Sequence, residues 1–487
     1  MKFLLSKKAS DIETLIYLIL FSIYLLFSRI VPIAYSFDSI DGLLSMGFAG
    51  IGCLLILQDL LTDRYLFKVR FSWVLFLFLG VLTISNILNI QYGWVDNLKT
   101  TIWFCIHFFV LYTMSLRLEK EKNKHIILFI FKLFNILFSI SLLLSIGQFI
   151  VNIGYLSYMH SNLYKIQGFF SGRLFGIFSD PNAAAMISLC MIIFNMYLIK
   201  NNDKKVIRIL YFILSFINFL YIVLSNSRTA LIVCMSTIVF CFIIEFFSTK
   251  NNKEYQKKLF LIFFIVLFSF VPIINVTKYS LVNLQMQDNT VLKDIFSINE
   301  YIFLYNPNNI YIENVEEQDL NKNHNLDKFT REDLQDSDYK ESRIDIWKGY
   351  LTSLKSGKWL FGLSPRNAIP YIEEHYPDNY IAESGFIAHS DYLAIIAYTG
   401  LAGFAVFVLL AVLILQYVFK KIRVKKKLDD FYIMSLLIVF SILVYGLSYR
   451  DILFCNTFTG FVFWLFMSYI LNVKDDGIYE EDSTPSV

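Results

Sequence analysis

The chain has 487 residues, is 56% hydrophobic, carries 49 Phe and has a mean hydropathy of +0.55. No soluble domain needs that much apolar surface, and a net charge of only +3 says nothing about partners. Repeated apolar runs of about 20 residues predict an all-α polytopic membrane protein.

The runs place spans near 15–36, 42–61, 71–90, 98–116, 126–152, 181–199, 209–225, 229–247, 259–277, 391–418, 431–448 and 452–471, about twelve in all. The N-terminus lacks a small-residue cleavage site, so residues 15–36 read as a first span and not as a cleaved signal peptide. Connections on one side carry Lys2, Lys7 and Lys8, then Arg64, Lys68 and Arg70, then Arg117 to Lys124, and later Lys420 to Lys427. The short connections on the other side are nearly free of Lys, so the basic side is assigned to the cytoplasm, with both termini there. The predicted organisation is a nine-helix transmembrane region (1–278), one large extracytoplasmic loop (279–388), a three-helix region (389–472) and a polar, disordered cytoplasmic tail (473–487). All six cysteines fall inside apolar blocks without metal-ligand spacing, so buried thiols are expected, with no disulfide framework and no metal.

Two boundaries are sharper than the rest. Asp180 suits a helix N-cap and Pro181 the first helical position, where no N–H is needed, so the sixth span starts there. Gly168 to Ser179 then lies just outside the membrane or as a shallow re-entrant piece. Ser225-Asn226-Ser227-Arg228 reads as a tight polar turn at the same face. Within the long polar loop, Tyr279 to Lys340 is acidic and Asn-rich, and reads as a lid or a mobile insertion. Ser342 to Leu354 is predicted helical, with Ile346, Trp347, Tyr350, Leu351 and Leu354 on one face, either along the membrane surface or in a small subdomain. Ser356-Gly357-Lys358 ends it, and Trp359-Leu360-Phe361-Gly362 packs back.

Arginine usage points to chemistry. Of twelve Arg, seven (Arg29, Arg173, Arg228, Arg331, Arg343, Arg366 and Arg450) fall on the outer side. Lys suffices where charge only marks topology; Arg is needed where a planar fork must hold phosphate at two points. The alternative for each is an interfacial Arg that snorkels. His389 opens the tenth span and is either a base near neutral pH or a polar residue of the interface, with Glu383 and Asp391 as carboxylates able to orient it. His107, in the middle of a span, reads as a hydrogen-bonded core histidine.

Gly172-Arg173-Leu174-Phe175-Gly176-Ile177-Phe178-Ser179-Asp180-Pro181-Asn182 resembles the motif that precedes a mid-chain span in the O-antigen ligase and Wzy-type polymerase superfamily. Ser225-Asn226-Ser227-Arg228-Thr229-Ala230 resembles its next arginine motif. Ser342-Arg343-Ile344-Asp345-Ile346-Trp347, the Phe361-Gly362 turn, and His389-Ser390-Asp391-Tyr392-Leu393 with Gly400 and Gly403 resemble its large outer loop and following helix. The chain departs from the pattern at Ser390, where the family usually has Asn, at Ser179 and Asp180, and at Gly362-Leu363-Ser364, where Gly-x-Gly is usual.

The resemblance implies a metal-independent, cofactor-free, inverting glycosyltransferase of the GT-C kind in a bacterial cytoplasmic membrane. It would move a glycan from an undecaprenyl diphosphate carrier to a sugar hydroxyl on the outer face. Arg173 and Arg228 would clamp the diphosphate, Arg343 would add a phosphate or glycan contact, and His389 would be the base; Asp391, Tyr392, Glu383 and Asn182 are secondary candidates. Implied partners are the lipid-linked donor and acceptor, membrane lipids, and flippase and chain-length regulator proteins, with no nucleic acid. The expected activity is polymerisation of capsular, exopolysaccharide or O-antigen repeat units. A ligase handing the glycan to another acceptor is the alternative, and a lipid-linked oligosaccharide flippase is the alternative from another class. A transporter would place charges mid-membrane and carry inverted repeats, and neither is visible in the sequence.

Overall fold

The structure, a computed structural model, describes residues 7–158, 164–170, 172–248, 253–284, 343–355, 357–424 and 428–473. Most of the stretch read as a lid, with Arg331, His160, His324 and the acidic tail, lies outside the described residues.

The described chain is an all-α bundle with one small sheet. Its helices are α1 (Lys7–Phe27), α2 (Val31–Leu61), α3 (Tyr65–Lys68), α4 (Ser72–Leu88), α5 (Trp94–Ile106, continued by a π-helical turn His107–Leu111), α6 (Met114–Arg117), α7 (Lys120–Ile150), α8 (Pro181–Lys200), α9 (Lys205–Leu224), α10 (Arg228–Ser248), α11 (Lys253–Val282), α12 (Arg343–Ser353), α13 (Ala368–His375), α14 (Tyr380–Ser384), α15 (Asp391–Val424), α16 (Asp430–Tyr445) and α17 (Phe458–Asn472). Among the described residues, 7 helices are long and apolar enough to cross a membrane, and α4, α16 and α17 are shorter apolar helices. Large apolar side chains face outward on several of them, among them Leu43 at 70% exposure, Val206 at 79% and Phe268 at 73%. In water such faces would have to be covered; against lipid tails they cost nothing.

The first predicted boundary moves. The apolar run 15–36 is interrupted at Ser28 to Ile30, and α2 begins at Val31. The cause is tertiary: the Val31 N–H donates to the Ile177 carbonyl (2.8 Å) and the Ser179 N–H to the Arg29 carbonyl (3.1 Å). This antiparallel bridge, Ile30 opposite Phe178, replaces helical bonds that hydropathy alone would have continued.

Gly168 to Ser179, expected just outside the membrane or as a shallow re-entrant piece, contains strand structure. It closes an antiparallel sheet of β1 (Gly154–Tyr158), β2 (Tyr164–Phe170) and β3 (Arg173–Gly176), in the order β1-β2-β3. The register pairs Gly154 with Gly168 and Phe170 with Arg173, with an irregularity at Gly168/Phe169.

The tenth predicted span is also broken. Gly400 in α15 has φ 65° and ψ −166°, which divides the helix. The backbone groups freed there are met by the segment after α12: Leu401 and Ala402 donate to the Trp359 and Leu360 carbonyls, while Leu363 and Ser364 donate to those of Ala397 and Tyr398. The approach requires glycine on both sides. A Cβ on Gly362 would lie 2.5 Å from the Tyr398 carbonyl carbon, and one on Gly400 2.3 Å from the Leu360 oxygen. Asn89 and Asn97 fix this segment from α4 and α5: Asn89 donates to the Gly362 carbonyl (3.1 Å), and the Arg366 N–H donates to Asn97 Oδ1 (2.9 Å). The Lys358 ammonium donates to Asn89 Oδ1 (2.9 Å), and partial burial holds its pKa below the usual lysine value.

Residues 391–399 therefore run from the end of α16, where the Asp391 N–H meets the Gly446 and Tyr449 carbonyls, to the end of α4, where Ser85 Oγ donates to the Tyr398 carbonyl (2.7 Å). Helices α16 and α17 hold 16 and 15 residues, about 24 and 22 Å at 1.5 Å per residue, short of a bilayer core of roughly 30 Å. The residues between them, Gly446 to Thr457, form a partly buried non-helical loop that takes up both sides of the short gap expected between the spans 431–448 and 452–471. Non-helical backbone of this kind is tolerated in a membrane protein where protein or a polar cavity surrounds it.

Two further expectations change. On α12, Ile346, Tyr350 and the following Leu354 are buried, but Trp347 and Leu351 are exposed at 41% and 45%. Arg117, read as a topology marker, is buried in an ion pair with Asp59 (3.1 Å). Arg70 is likewise tied in, donating to Asn472 Oδ1 and the Leu471 carbonyl at the end of α17. The cysteines are free thiols.

Candidate functional site

The site forms where three non-helical pieces meet: the strand and turn 172–180, the α9–α10 turn and the α16–α17 loop. Arg173 opens β3 and is 7% exposed. Its Nη2 donates to Asn182 Oδ1 (2.8 Å) and its Nε to the Ser225 carbonyl (3.2 Å). Asn182 is held in turn by Asp180. The Asp180 carboxylate accepts from the Asn182 backbone N–H (2.8 Å), as the N-cap reading of the sequence requires, and from the Asn182 side-chain amide (3.2 Å). That amide also donates to the Tyr449 hydroxyl, which donates to Asp180 (3.4 Å). Asn182 is thus a positioning residue for Arg173.

The predicted polar turn is present. Ser227 Oγ accepts from the Ala230 N–H (3.2 Å) and caps α10, which leaves Arg228 as its first residue, exposed at the helix N-terminus. Asn226 sits at φ 49°, a left-handed position that Asn tolerates better than most residues. Its amide donates to the Gly172 carbonyl (3.2 Å), and its Oδ1 accepts from Lys278 Nζ (2.7 Å) on α11.

His389 is half-buried, its ring 6.0 Å from that of Phe386. Asp391 does not serve it as an orienting carboxylate. At 2% exposure, Asp391 accepts from the N–H groups of Asp451 (3.1 Å), Ile452 (3.1 Å) and Leu453 (3.3 Å), gathering the α16–α17 loop around one carboxylate. Ser390, at the family's usual Asn position, donates to the Gly446 carbonyl (3.2 Å). Tyr392 donates to the Leu443 carbonyl (2.9 Å), a helix-to-helix tie. Glu383 is exposed on α14, and no bond among the described residues joins it to His389. Neither Tyr392 nor Glu383 is joined to His389 among the described residues.

The α16–α17 loop brings in residues that the sequence left unassigned. Asp451 pairs with Arg29 (3.8 Å), which the Ile30–Phe178 bridge sets beside Asp180. Burial pushes the Asp451 carboxyl above its ordinary range, and the Arg29 charge opposes that rise. Arg450 donates from Nη1 to the Tyr398 hydroxyl (2.8 Å). The polar tetrapeptide Ser448-Tyr449-Arg450-Asp451 inside an apolar stretch was the available signal, but its long-range partners lie from 52 to more than two hundred residues away in the chain.

The structure thus ties the Arg173 strand directly to the Arg228 turn and reaches Asp391, two residues from His389, through Asn182 and Tyr449. It does not bring Arg343 into this network. Arg343 is exposed at the start of α12, which docks elsewhere: Tyr350 donates to the Phe386 carbonyl (2.9 Å), and Gly349 packs on Asn379 and Ile381. His107 is buried as expected, but neither ring nitrogen has a hydrogen-bond partner among the described residues.

Arg173 and Arg450 donate to neutral oxygens, an arrangement whose chemistry suits an oxyanion. Residues 210–408 match the family described as O-Antigen ligase; that stretch contains Arg228, Arg343 and His389, while Arg173, Asn182 and Arg450 flank it. No curated protein matches the chain. With this partial match, the ordered motifs and the helical bundle, the chain resembles the O-antigen ligase and Wzy-type superfamily of multi-pass membrane proteins over residues 210–408.

Proposed function

We propose that this protein is a GT-C-like polymerase that joins undecaprenyl-diphosphate-linked oligosaccharide repeat units on the outer face of a bacterial cytoplasmic membrane. An acceptor sugar hydroxyl attacks the anomeric carbon of the donor. The anomeric C–O bond to the diphosphate breaks, the centre inverts, and the lipid diphosphate leaves with the bonding electron pair. Charge grows on the leaving group as that bond stretches, so fixed donors aimed there stabilise the transition state more than the ground state. Arg173 and Arg228 take this role, His389 accepts the proton of the attacking hydroxyl, and Arg343 meets a phosphate or the glycan from the outer segment.

The observation that supports this reading best is the double tie between the Arg173 and Arg228 segments, which holds two guanidinium-bearing segments side by side before any ligand arrives. Preorganisation of this kind costs nothing at the moment of reaction. Both termini lie in the cytoplasm in this reading, as the basic connections require.

The lipid-linked products of a deletion strain test the proposal. Single repeats that accumulate on the carrier support a polymerase. Long carrier-linked polymer means that the protein is a ligase, and a failure of repeats to reach the outer leaflet means a flippase.

A further inference from the structure

Among the described residues, Arg450 forms no ion pair, although its charge reaches the adjacent Asp451 carboxyl. Its neighbour Asp451 turns to Arg29 (3.8 Å), and the next carboxylate, Asp391, is taken up by three backbone N–H groups of the same loop. The partner given to Arg450 is neutral: the Tyr398 hydroxyl accepts from Nη1 (2.8 Å), and the Tyr398 ring lies 5.7 Å from the guanidinium carbon. The Arg450 Nε is buried and makes no hydrogen bond among the described residues. A partly buried cation outside any ion pair is under-compensated, and removal of water around it makes an anion that arrives bind more strongly.

Its place makes it useful. Tyr449, the preceding residue, receives the Asn182 amide, and Asn182 holds Arg173. Tyr398 stands on the segment 391–399 that leads back to His389, and its ring meets that of the buried Tyr350 edge-on at 6.3 Å, which fixes the hydroxyl that steers Arg450. Arg450 and Arg173 are therefore linked through the Asn182–Tyr449 contact and the backbone between Tyr449 and Arg450.

We propose that Arg450 is a further phosphate-binding residue of this site, oriented by Tyr398, and that it takes a prenyl diphosphate together with Arg173 and Arg228. The inference rests on the diphosphate reading above and adds a residue outside the matched family region.

The test uses the full-length protein in nanodiscs with farnesyl diphosphate as the probe, and farnesol and inorganic pyrophosphate as the two separated halves. Arg450→Gln is expected to weaken farnesyl diphosphate binding at least tenfold and leave the weak binding of farnesol unchanged. Without ligand, the variant should melt no lower than the parent protein, because a charge outside any ion pair has been removed. A residue that merely braced the loop would show the reverse: a lower melting temperature and unchanged affinity. Tyr398→Phe keeps the ring and loses the hydroxyl, and should weaken binding two- to fivefold; it also serves if Arg450→Gln fails to fold. Binding within twofold of the parent in Arg450→Gln, or in Tyr398→Phe where the former does not fold, overturns the proposal for Arg450. If Arg173→Gln still weakens binding in that case, the diphosphate reading survives. If Arg173→Gln also leaves binding unchanged, both fall. Tight pyrophosphate binding that Arg450→Gln abolishes, with no added affinity from the prenyl chain, would locate a free-phosphate site and count against the lipid-linked ligand.

Discussion

Arg173 donates from Nε to the backbone carbonyl of Ser225, 52 residues further along the chain and 3.2 Å away. One residue on, Asn226 answers by donating to the carbonyl of Gly172, the residue before Arg173. The two arginine motifs are thus stitched together main chain to side chain in both directions, and the gap between the two guanidinium-bearing segments is set by the fold.

One half of this stitch, together with the Lys278 contact to Asn226, can be removed without straining the backbone. Asn226 has φ 49°, a conformation glycine adopts freely, so Asn226→Gly deletes the amide and keeps the turn. We expect glycosyl transfer to fall roughly tenfold, since misplacing a transition-state contact by a fraction of an ångström has effects of that order. In vitro polymerisation in isolated membranes reads this directly. Parental rates in that variant would show that the stitch is not what sets the spacing.

Arg228→Lys keeps the charge and loses the fork. Arg228 is exposed at the first position of α10, so the substitution should leave the bundle intact. Loss of one preorganised donor costs on the order of 10² in rate. Membranes from a strain carrying the variant should show short oligomers where the parent shows long polymer. A normal ladder on a gel would remove Arg228 from the clamp.

Three residues near the start of α15 can be separated by rate. His389→Ala should lower transfer by about 10² or more, the usual range for a general base. Tyr392→Phe loses a bond to the Leu443 carbonyl and should cost about 1 kcal/mol of stability with rates within about twofold of the parent. Glu383→Gln, exposed on α14, should change neither. If Glu383→Gln matched His389→Ala in its loss, the base would have to be reassigned.

The interlock at Gly400 makes a prediction about folding. Gly362→Ala would drive a Cβ to 2.6 Å from the backbone nitrogens of Thr399 and Gly400 as well as onto the Tyr398 carbonyl carbon, and backbone cannot give way as a side chain can. We expect a loss of more than about 2 kcal/mol, read as a lower melting temperature or poor recovery from the membrane. Ser364 has φ 61°, and the related motif usually has Gly at that position; Ser364→Gly relieves about 1 kcal/mol of backbone cost but loses the bond from Asn97 to the Ser364 hydroxyl (3.2 Å), so its net effect should be small. A Gly362→Ala protein as stable as its parent would mean that the two segments are not in contact.

Much of this protein is visible in the one-dimensional pattern. Lipid contact selects long apolar runs and expels charge to their ends, so helix α7 from Lys120 and helices α8 to α11 fall close to where hydropathy puts them. Local chemistry fixed two boundaries as well: Asp180 caps α8 through the Asn182 N–H, and Ser227 caps α10. The arginines and His389 stood out for the same reason, because an ionisable group at the rim of an apolar block has few structural uses.

What the pattern left undecided is where backbone groups bond across long sequence distances. The break at Ser28 to Ile30 exists because Phe178 lies opposite Ile30; the break at Gly400 exists because Trp359 to Ser364 supply its partners. The role of Asp391 was misread because a carboxylate beside a histidine in sequence suggests a dyad, whereas folding brings three N–H groups of 451–453 to it first. Hydropathy and capping are sums over neighbours a few residues apart, and so the sequence by itself determined the helices and the pool of charged candidates. Which of those charges meet, and which one forms no ion pair among the described residues, depends on contacts between residues from about fifty to several hundred positions apart, and only the tertiary structure decided it.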